Sequence, residues 1–227
     1  MVYVLLLGGS GKTAQTAHAL QAAGHRLDVY WSRTPMAPDL PVAAALRGGL
    51  TAADAVIDCT HPFDETLRRI ARGLAPDLPW ARAGRPLWSP EPGDRWHSVA
   101  DVAQVVTALP AHARVFAATG RDSAEVLAHH DGPVYLRQLQ RHADAAPSGC
   151  TFVFGDGPFD VAGEAALLQK LSIDVVVARN TGGAAAFPKV AAARALGLPV
   201  IMLTPPDLAD RPVLDTDAAV LDWLATL

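Results

Sequence analysis

Val4-Leu5-Leu6-Leu7-Gly8-Gly9-Ser10-Gly11-Lys12-Thr13-Ala14 runs an apolar strand straight into a glycine-dense turn that opens a helix. Such a turn aims backbone N–H groups and a helix N-terminus at one point, which suits an anionic phosphate. Gly11-Lys12-Thr13 looks like the end of an ATP-binding P-loop, but that loop needs a further glycine at the position held here by Leu6. Leu6 lies inside the strand, so the P-loop is excluded. Gly9-Ser10-Gly11-Lys12-Thr13-Ala14 instead fits the G-x-G-x-x-G/A turn of dinucleotide-binding proteins, with Ala14 as the small residue that lets helix and strand pack. The helix is expected to bury Thr16, Ala19, Leu20 and Ala23 and to stop at Gly24, a favoured closing residue. A tight strand-to-helix turn with no ligand is the competing explanation.

The second strand, residues 26–31, leads into Ser32-Arg33-Thr34. In folds of this type the residue after that strand faces the adenosine ribose, where an acid pairs with a free 2′-hydroxyl and an arginine accommodates a 2′-phosphate. No acid lies between Tyr30 and Ala37, and Arg33 stands between two hydroxyl side chains. A guanidinium fork binds phosphate bidentately. The pattern therefore favours NADP(H) over NAD(H), against the alternative of a solvated surface arginine.

The composition allows a well-packed protein: of 227 residues, 50% are hydrophobic and 19% charged. A net charge of -4 offers no general attraction to nucleic acid or acidic membranes. The two cysteines, Cys59 and Cys150, sit in separate strand-like segments and are expected as buried free thiols in a reducing cytosol. The N-terminal apolar run lacks a basic leader and is broken by Gly8-Gly9, which makes it a strand and not a signal peptide. No apolar run reaches membrane-spanning length. A soluble, cytoplasmic protein is expected, as a monomer, with an oligomer left open.

Strand and helix signals alternate throughout, the pattern of α/β proteins with parallel sheets. Residues 42–47 suggest a short helix, 54–60 a strand, 64–74 a helix with apolar Leu67, Ile70, Ala71 and Leu74, and 79–83 a strand. Proline and glycine crowd residues 84–94, the candidate boundary. Helices follow at 99–109, 123–129, 161–171, 186–196 (interrupted by Pro188) and 218–224, with strands at 114–119, 134–139, 150–154, 174–178 and 199–203. The fold expected is two Rossmann-like three-layer α/β/α domains with mainly parallel sheets and a cleft between them. They would span residues 1–97, binding NADP(H), and 98–227, binding substrate.

Ligands of such folds bind beyond the C-terminal strand ends. There the sequence places Asp58-Cys59-Thr60-His61-Pro62-Phe63, Ala83-Gly84-Arg85-Pro86-Leu87-Trp88, Thr119-Gly120-Arg121-Asp122-Ser123, Gly155-Asp156-Gly157-Pro158-Phe159 and Arg179-Asn180-Thr181-Gly182-Gly183, then Pro188-Lys189. In order and spacing these resemble the precorrin-6A reductase family of corrin biosynthesis across nearly the whole chain. Asp58 to Phe63 is similar to the family's D-A-T-H-P-[FY] signature, and Gly84 to Trp88 to its R-P-x-W segment. The chain departs from the family pattern at Ser10-Gly11-Lys12, at Arg179-Asn180-Thr181-Gly182 in place of Lys-x-Ser-Gly, and at Pro188 in place of an acid.

The resemblance implies hydride transfer from NADPH to the precorrin-6A macrocycle, or to its cobalt-bearing analogue. The conjugated macrocycle is already electrophilic, so the protein mainly positions the two reactants. No metal is needed, and neither metal-ligand spacing nor a G-x-S-x-G elbow is present. Gly8, Gly9, Ser10, Gly11, Lys12, Thr13, Ser32, Arg33, Thr34, Thr60 and His61 are the expected cofactor-binding residues. The substrate, a small-molecule polycarboxylate corrinoid, calls for cations. Arg85, Arg121 and Lys189, with Thr181, are the expected substrate contacts; Arg137 and Arg179 are second candidates. His61 is the candidate catalytic residue, with a turn-shaping role as its competitor. His61, Asp122 or water could supply the proton. Asp58 is expected to be structural, and Trp88 to pack locally or stack on the macrocycle. The rival functions are another NADP-dependent reductase, a non-catalytic NADP(H) sensor or carrier, and a phosphotransferase, the last disfavoured by Leu6.

Overall fold

The computed structural model describes residues 1–31, 50–206 and 212–227. Two compact units emerge: Met1–Pro86 with Pro206–Leu227, and Leu87–Pro205. Each is built on one sheet whose described strand pairs are all parallel.

In the first unit β1 (Tyr3–Gly8), β2 (Arg26–Trp31), β3 (Ala55–Cys59), β4 (Trp80–Ala83) and β11 (Val213–Leu214) lie in the order β11-β4-β3-β1-β2. Chain order reverses between β1 and β3, which is where an open α/β sheet offers a crevice. Helix α1 (Lys12–Ala22) and the C-terminal helix α7 (Asp217–Leu224) cover one face, and Leu20, Val220 and Leu224 pack there on Val4, Leu6, Ile57 and Ala81. Helix α2 (Glu65–Leu74) contributes Leu67 and Ala71 to the other face. The strands read as near-continuous apolar runs because both faces are buried.

The buried face of α1 is Thr13, Thr16, Ala17 and Leu20, so Ala19 and Ala23 do not carry it as expected. The helix closes through Gly24 at φ +80°, with His25 N–H bonded to Leu20 O at 3.1 Å and Gly24 N–H to Gln21 O at 3.0 Å. Along α2 the expected apolar Ile70 is 50% exposed while Arg68 is only 6% exposed.

The second unit orders β5 (Trp96–Val99), β6 (Val115–Ala118), β7 (Val134–Gln138), β8 (Cys150–Phe154), β9 (Val175–Arg179) and β10 (Val200–Leu203) as β5-β10-β9-β6-β7-β8. Its reversal falls between β6 and β9. Helices α3 (Val102–Ala108), α4 (Ala124–Leu127), α5 (Val161–Lys170) and α6 (Pro188–Ala195) connect the strands. The helix expected from residue 186 begins at Pro188, which interrupts its entry and then occupies its first turn, where the missing N–H costs nothing.

The units depart from an expected division at residue 97 in two ways. Residues 96–99 are an unexpected strand, β5, which pairs with β10 of the second sheet, and the helix expected from residue 99 begins at Val102. The C-terminal segment returns to the first sheet, where β11 pairs with β4 and α7 packs on α1. The break at Pro86 falls inside the proline-rich stretch. Both cysteines are free; Cys59 is buried, which pushes its thiol up to about 12, whereas Cys150 is only half-buried. Among the described residues no helix is long and apolar enough to cross a membrane.

Candidate active site

At the switch point of the first unit, Gly8 ends β1 level with Cys59 of β3. A Cβ on Gly8 would lie 2.8 Å from the Trp31 ring and 2.9 Å from the Thr13 methyl, so glycine is required for the strand, helix and indole to meet. Thr13 Oγ1 donates to Ser10 O at 2.8 Å and accepts from Gly9 N–H and Ser10 N–H at 3.2 and 3.3 Å. That hydroxyl also lies 3.5 Å from Cys59 O, which ties the turn to the neighbouring strand end. Gly11 caps α1, faces open space, and begins a helix with no acid in its first turn. Lys12 Nζ donates to Asp215 O at 2.7 Å.

The adjoining loop after β3 is held by a buried ion pair. Asp58 Oδ1 accepts from Thr60 N–H at 2.9 Å and from the Thr60 hydroxyl at 2.6 Å, while Oδ2 accepts from Arg68 Nε at 2.7 Å. Arg68 Nη2 continues to Thr60 Oγ1, His61 O and Pro62 O at 3.0, 3.3 and 3.4 Å. Asp58 is thus the structural anchor expected. The Thr60 hydroxyl donates to Asp58 and accepts from Arg68, so it has no O–H left to donate to a ligand. His61 Nδ1 accepts from Phe63 N–H at 3.3 Å, so the neutral imidazole carries its proton on Nε2. Arg85 follows β4 and is exposed. Ser32, Arg33 and Thr34, and the helix expected at 42–47, lie outside the described residues.

In the second unit the switch point joins the loops after β6 and β9. Gly120 adopts φ +90°, and a Cβ there would sit 2.7 Å from Asp122 Oδ1 and 3.1 Å from Arg179 Nη1. This glycine admits the Arg179–Asp122 ion pair at 3.1 Å. Thr119 donates to Ser123 Oγ at 2.6 Å, because the Ser123 hydroxyl itself donates to Gly120 O at 2.6 Å. Arg121 pairs with Asp144 and is exposed. Asn180 grips Trp88 from both sides, its Oδ1 accepting from Trp88 N–H at 2.9 Å and its Nδ2 donating to Trp88 O at 2.8 Å. Trp88 Nε1 donates to Gly183 O at 3.0 Å.

Beside this lies a second buried pair. Arg137 Nη2 donates to Glu164 Oε1 at 2.9 Å, and its guanidinium lies 4.5 Å from the Phe159 ring centroid and 5.1 Å from that of Phe116. Lys189 Nζ donates to Ala186 O and lies 5.9 Å from the Trp88 ring centroid. Burial pulls the Lys189 ammonium down to about 8; Glu164 opposes the shift and Arg137 adds to it. A cavity of about 430 Å³ opens nearby, with Trp88, Val161, Gly183, Ala184, Phe187 and Pro188 in its lining.

The sequence-expected residues therefore fall into two groups. Gly8 to Thr13 reaches Cys59 at the strand end that leads into Thr60 and His61 in the first unit, which also carries Arg85; in the second, Arg121 and Thr181 follow strand ends, Arg179 closes β9 and Lys189 lies in the first turn of α6. Three groups that hold this material carry no local sequence signal of that role: Arg68, which holds the Thr60–His61 loop, Glu164, which pairs with Arg137, and Asn180, which grips Trp88.

Two doubly wound parallel sheets, one with a glycine turn at its switch point, define a protein of the doubly wound α/β class. A model of the family described as precorrin-6x reductase CbiJ/CobK matches residues 3–225. The precorrin-6A reductase of Rhodococcus erythropolis is 34% identical over 245 residues, covering 100% of this chain and 99% of that protein. That of Rhodobacter capsulatus is 35% identical over 245 residues, covering 99% and 96%. A solved structure, CobK precorrin-6A reductase, matches with a TM-score of 0.78 at 32% identity over 100% of this chain and 97% of the other. The chain belongs to the precorrin-6x reductase CbiJ/CobK family and is an oxidoreductase.

Proposed function

We propose that the chain reduces one double bond of precorrin-6A to give precorrin-6B, with NADPH as the hydride donor and a proton completing the addition. The observation that carries this is the family match over residues 3–225. The glycine turn after β1 supports the choice of a dinucleotide: open space faces Gly11, and no acid in the first turn of α1 opposes a phosphate. When bound, NADPH supplies the hydride.

The chain's own residues bind and orient. Gly8 fixes the turn's approach to the first strand end, and Arg68 with Asp58 holds the Thr60–His61 backbone beside it. Arg33 is proposed to receive the 2′-phosphate. Arg85, Arg121, Thr181 and Lys189 are proposed to meet the carboxylate-bearing substrate. Asp122 is held as the ion-pair partner of Arg179, and His61, whose Nδ1 accepts from Phe63 N–H, would be left an imidazolate by losing its Nε2 proton, so water is the proposed proton source. The free cysteines accord with a cytoplasmic location.

The test is to mix the protein with NADPH and precorrin-6A, following loss of NADPH absorbance and a product heavier by two hydrogens. NADPH binding without consumption would instead indicate a sensor or carrier. Arg33→Ala should weaken NADPH by about 1.5–3 kcal/mol and leave NADH nearly unchanged, as direct titration would report. Equal losses would remove Arg33 from the 2′-phosphate site.

A further inference from the structure

Arg82 lies on β4, only 5% exposed, in register with Asp58 on β3. Strand alternation puts it on the face that carries Trp80, Val56 and Leu7. Its side chain runs alongside Gly84, where a Cβ would come 2.7 Å from Arg82 Nε. Gly84 therefore leaves the room that the guanidinium occupies at the C-terminal end of β4.

A guanidinium brings five N–H donors and no acceptor, so a buried one requires oxygen partners. The facing carboxylate is already taken: Asp58 Oδ1 serves Thr60 twice and Oδ2 serves Arg68. Among the described residues the Arg82 side chain takes neither a hydrogen bond nor an ion pair. Burial pulls its pKa below the ordinary arginine value, opposed by Asp58 and Cys59 and assisted by Arg68. Two guanidiniums thus lie near one carboxylate, which Arg68 alone holds, at the strand ends where this fold binds ligands. Such an excess of charge in a mostly buried setting costs stability unless the small opening to solvent lets water, or a ligand in its place, supply the acceptor.

We infer that Arg82 is an anion-recognition residue, receiving an oxyanion of a ligand seated over the C-terminal ends of β3 and β4. A dinucleotide phosphate and a substrate carboxylate share the required chemistry, two oxygens for one planar fork. The inference rests on the reductase proposal only for the names of those two ligands.

Arg82→Met keeps the apolar stem and removes the charge. Binding of NADPH and of precorrin-6A is titrated directly, without turnover, alongside the melting temperature of the free protein. The expected result is a loss of about tenfold to a hundredfold in affinity for one ligand, with a melting temperature equal to or above that of the unmodified protein. A loss confined to NADPH assigns the phosphate, and one confined to precorrin-6A assigns the carboxylate. Gly84→Ala, which displaces the guanidinium without removing it, should weaken the same ligand. Affinities within about threefold for both ligands, or a loss accompanied by a fall in melting temperature, overturn the inference in favour of a packing role.

An arm with inorganic pyrophosphate and citrate separates this result from failure of the reductase proposal. At least one should raise the melting temperature of the unmodified protein more than that of Arg82→Met, whether or not NADPH is oxidised. Equal shifts in the two proteins with both anions also overturn it.

Discussion

The two sheets share one plan, all-parallel strands with a single reversal, yet their switch points are furnished in opposite ways. Between β1 and β3 the ligand-facing material is backbone: a glycine turn, a helix N-terminus and a loop pinned from beneath by Asp58 and Arg68. Between β6 and β9 it is side chains, and their charges are largely matched with one another, as in Arg179–Asp122 and Arg137–Glu164. Backbone donors present a fixed shape and suit a ligand group of constant geometry such as pyrophosphate. Side-chain cations paired with internal acids can exchange partners, which suits a ligand whose carboxylates are spread over a large ring. One unit is pre-shaped; the other holds its cations against internal acids.

The comparison breaks most severely at Arg68. Arg68→Met removes the partner of a buried carboxylate and leaves the Thr60 hydroxyl and the His61 and Pro62 carbonyls without that donor. Removing one partner of a buried pair costs about 3–5 kcal/mol. Urea denaturation should record that loss, and NADPH affinity should fall with it because the loop is no longer held. A loss under about 1 kcal/mol would mean that the loop keeps its shape without the ion pair, and the first switch point would not be rigid in the sense argued.

A smaller effect is expected at Gly120 in the second unit. Gly120→Ala forces a side chain into φ +90° and against Asp122. Strain of this kind costs about 1–3 kcal/mol. Since the crowded atom is the movable end of a carboxylate, the Arg179–Asp122 pair should yield before the fold does. Thermal stability should fall by that strain, and precorrin-6A affinity should change with it because the pair has moved. A variant that loses stability alone would show the pair to be a structural clamp, making the second switch point as rigid as the first.

How far these features are legible in the sequence follows the same division. Gly8-Gly9-Ser10-Gly11 and the strand-end loops stand out because glycine, proline and hydroxyl residues mark turns by local rules. Arg68 does not, because a charge on a helix is ordinarily solvated, and apolar periodicity favours Ile70 instead. A signal for Arg68 does exist: an aspartate inside an apolar strand requires a buried cation, and an arginine ten residues on, in the next helix, can supply it. β5 escapes notice because Trp96–Val99 is short, its two middle residues are exposed, and β10, its partner among the described residues, is distant in sequence. For the same reason the return of the C-terminus to the first sheet rests on pairing that no local pattern announces.

The finest distinction lies in the titration of Lys189. Burial places its ammonium near 8, below the ordinary lysine value of 10.5. Between those two values the unfolded chain holds a proton that the folded chain has released, so stability rises with pH across that window. A lysine that receives a substrate carboxylate must be protonated, so kcat/KM for precorrin-6A, which reports the free enzyme, should fall as pH rises through about 8. Activity and stability then move in opposite directions over one interval. Lys189→Arg, which stays charged, should keep kcat/KM level to higher pH and lose the rise in stability. If the unmodified protein shows the stability rise without the fall in kcat/KM, Lys189 is a buried structural cation. The charge balance of the second unit then does not include it in substrate binding.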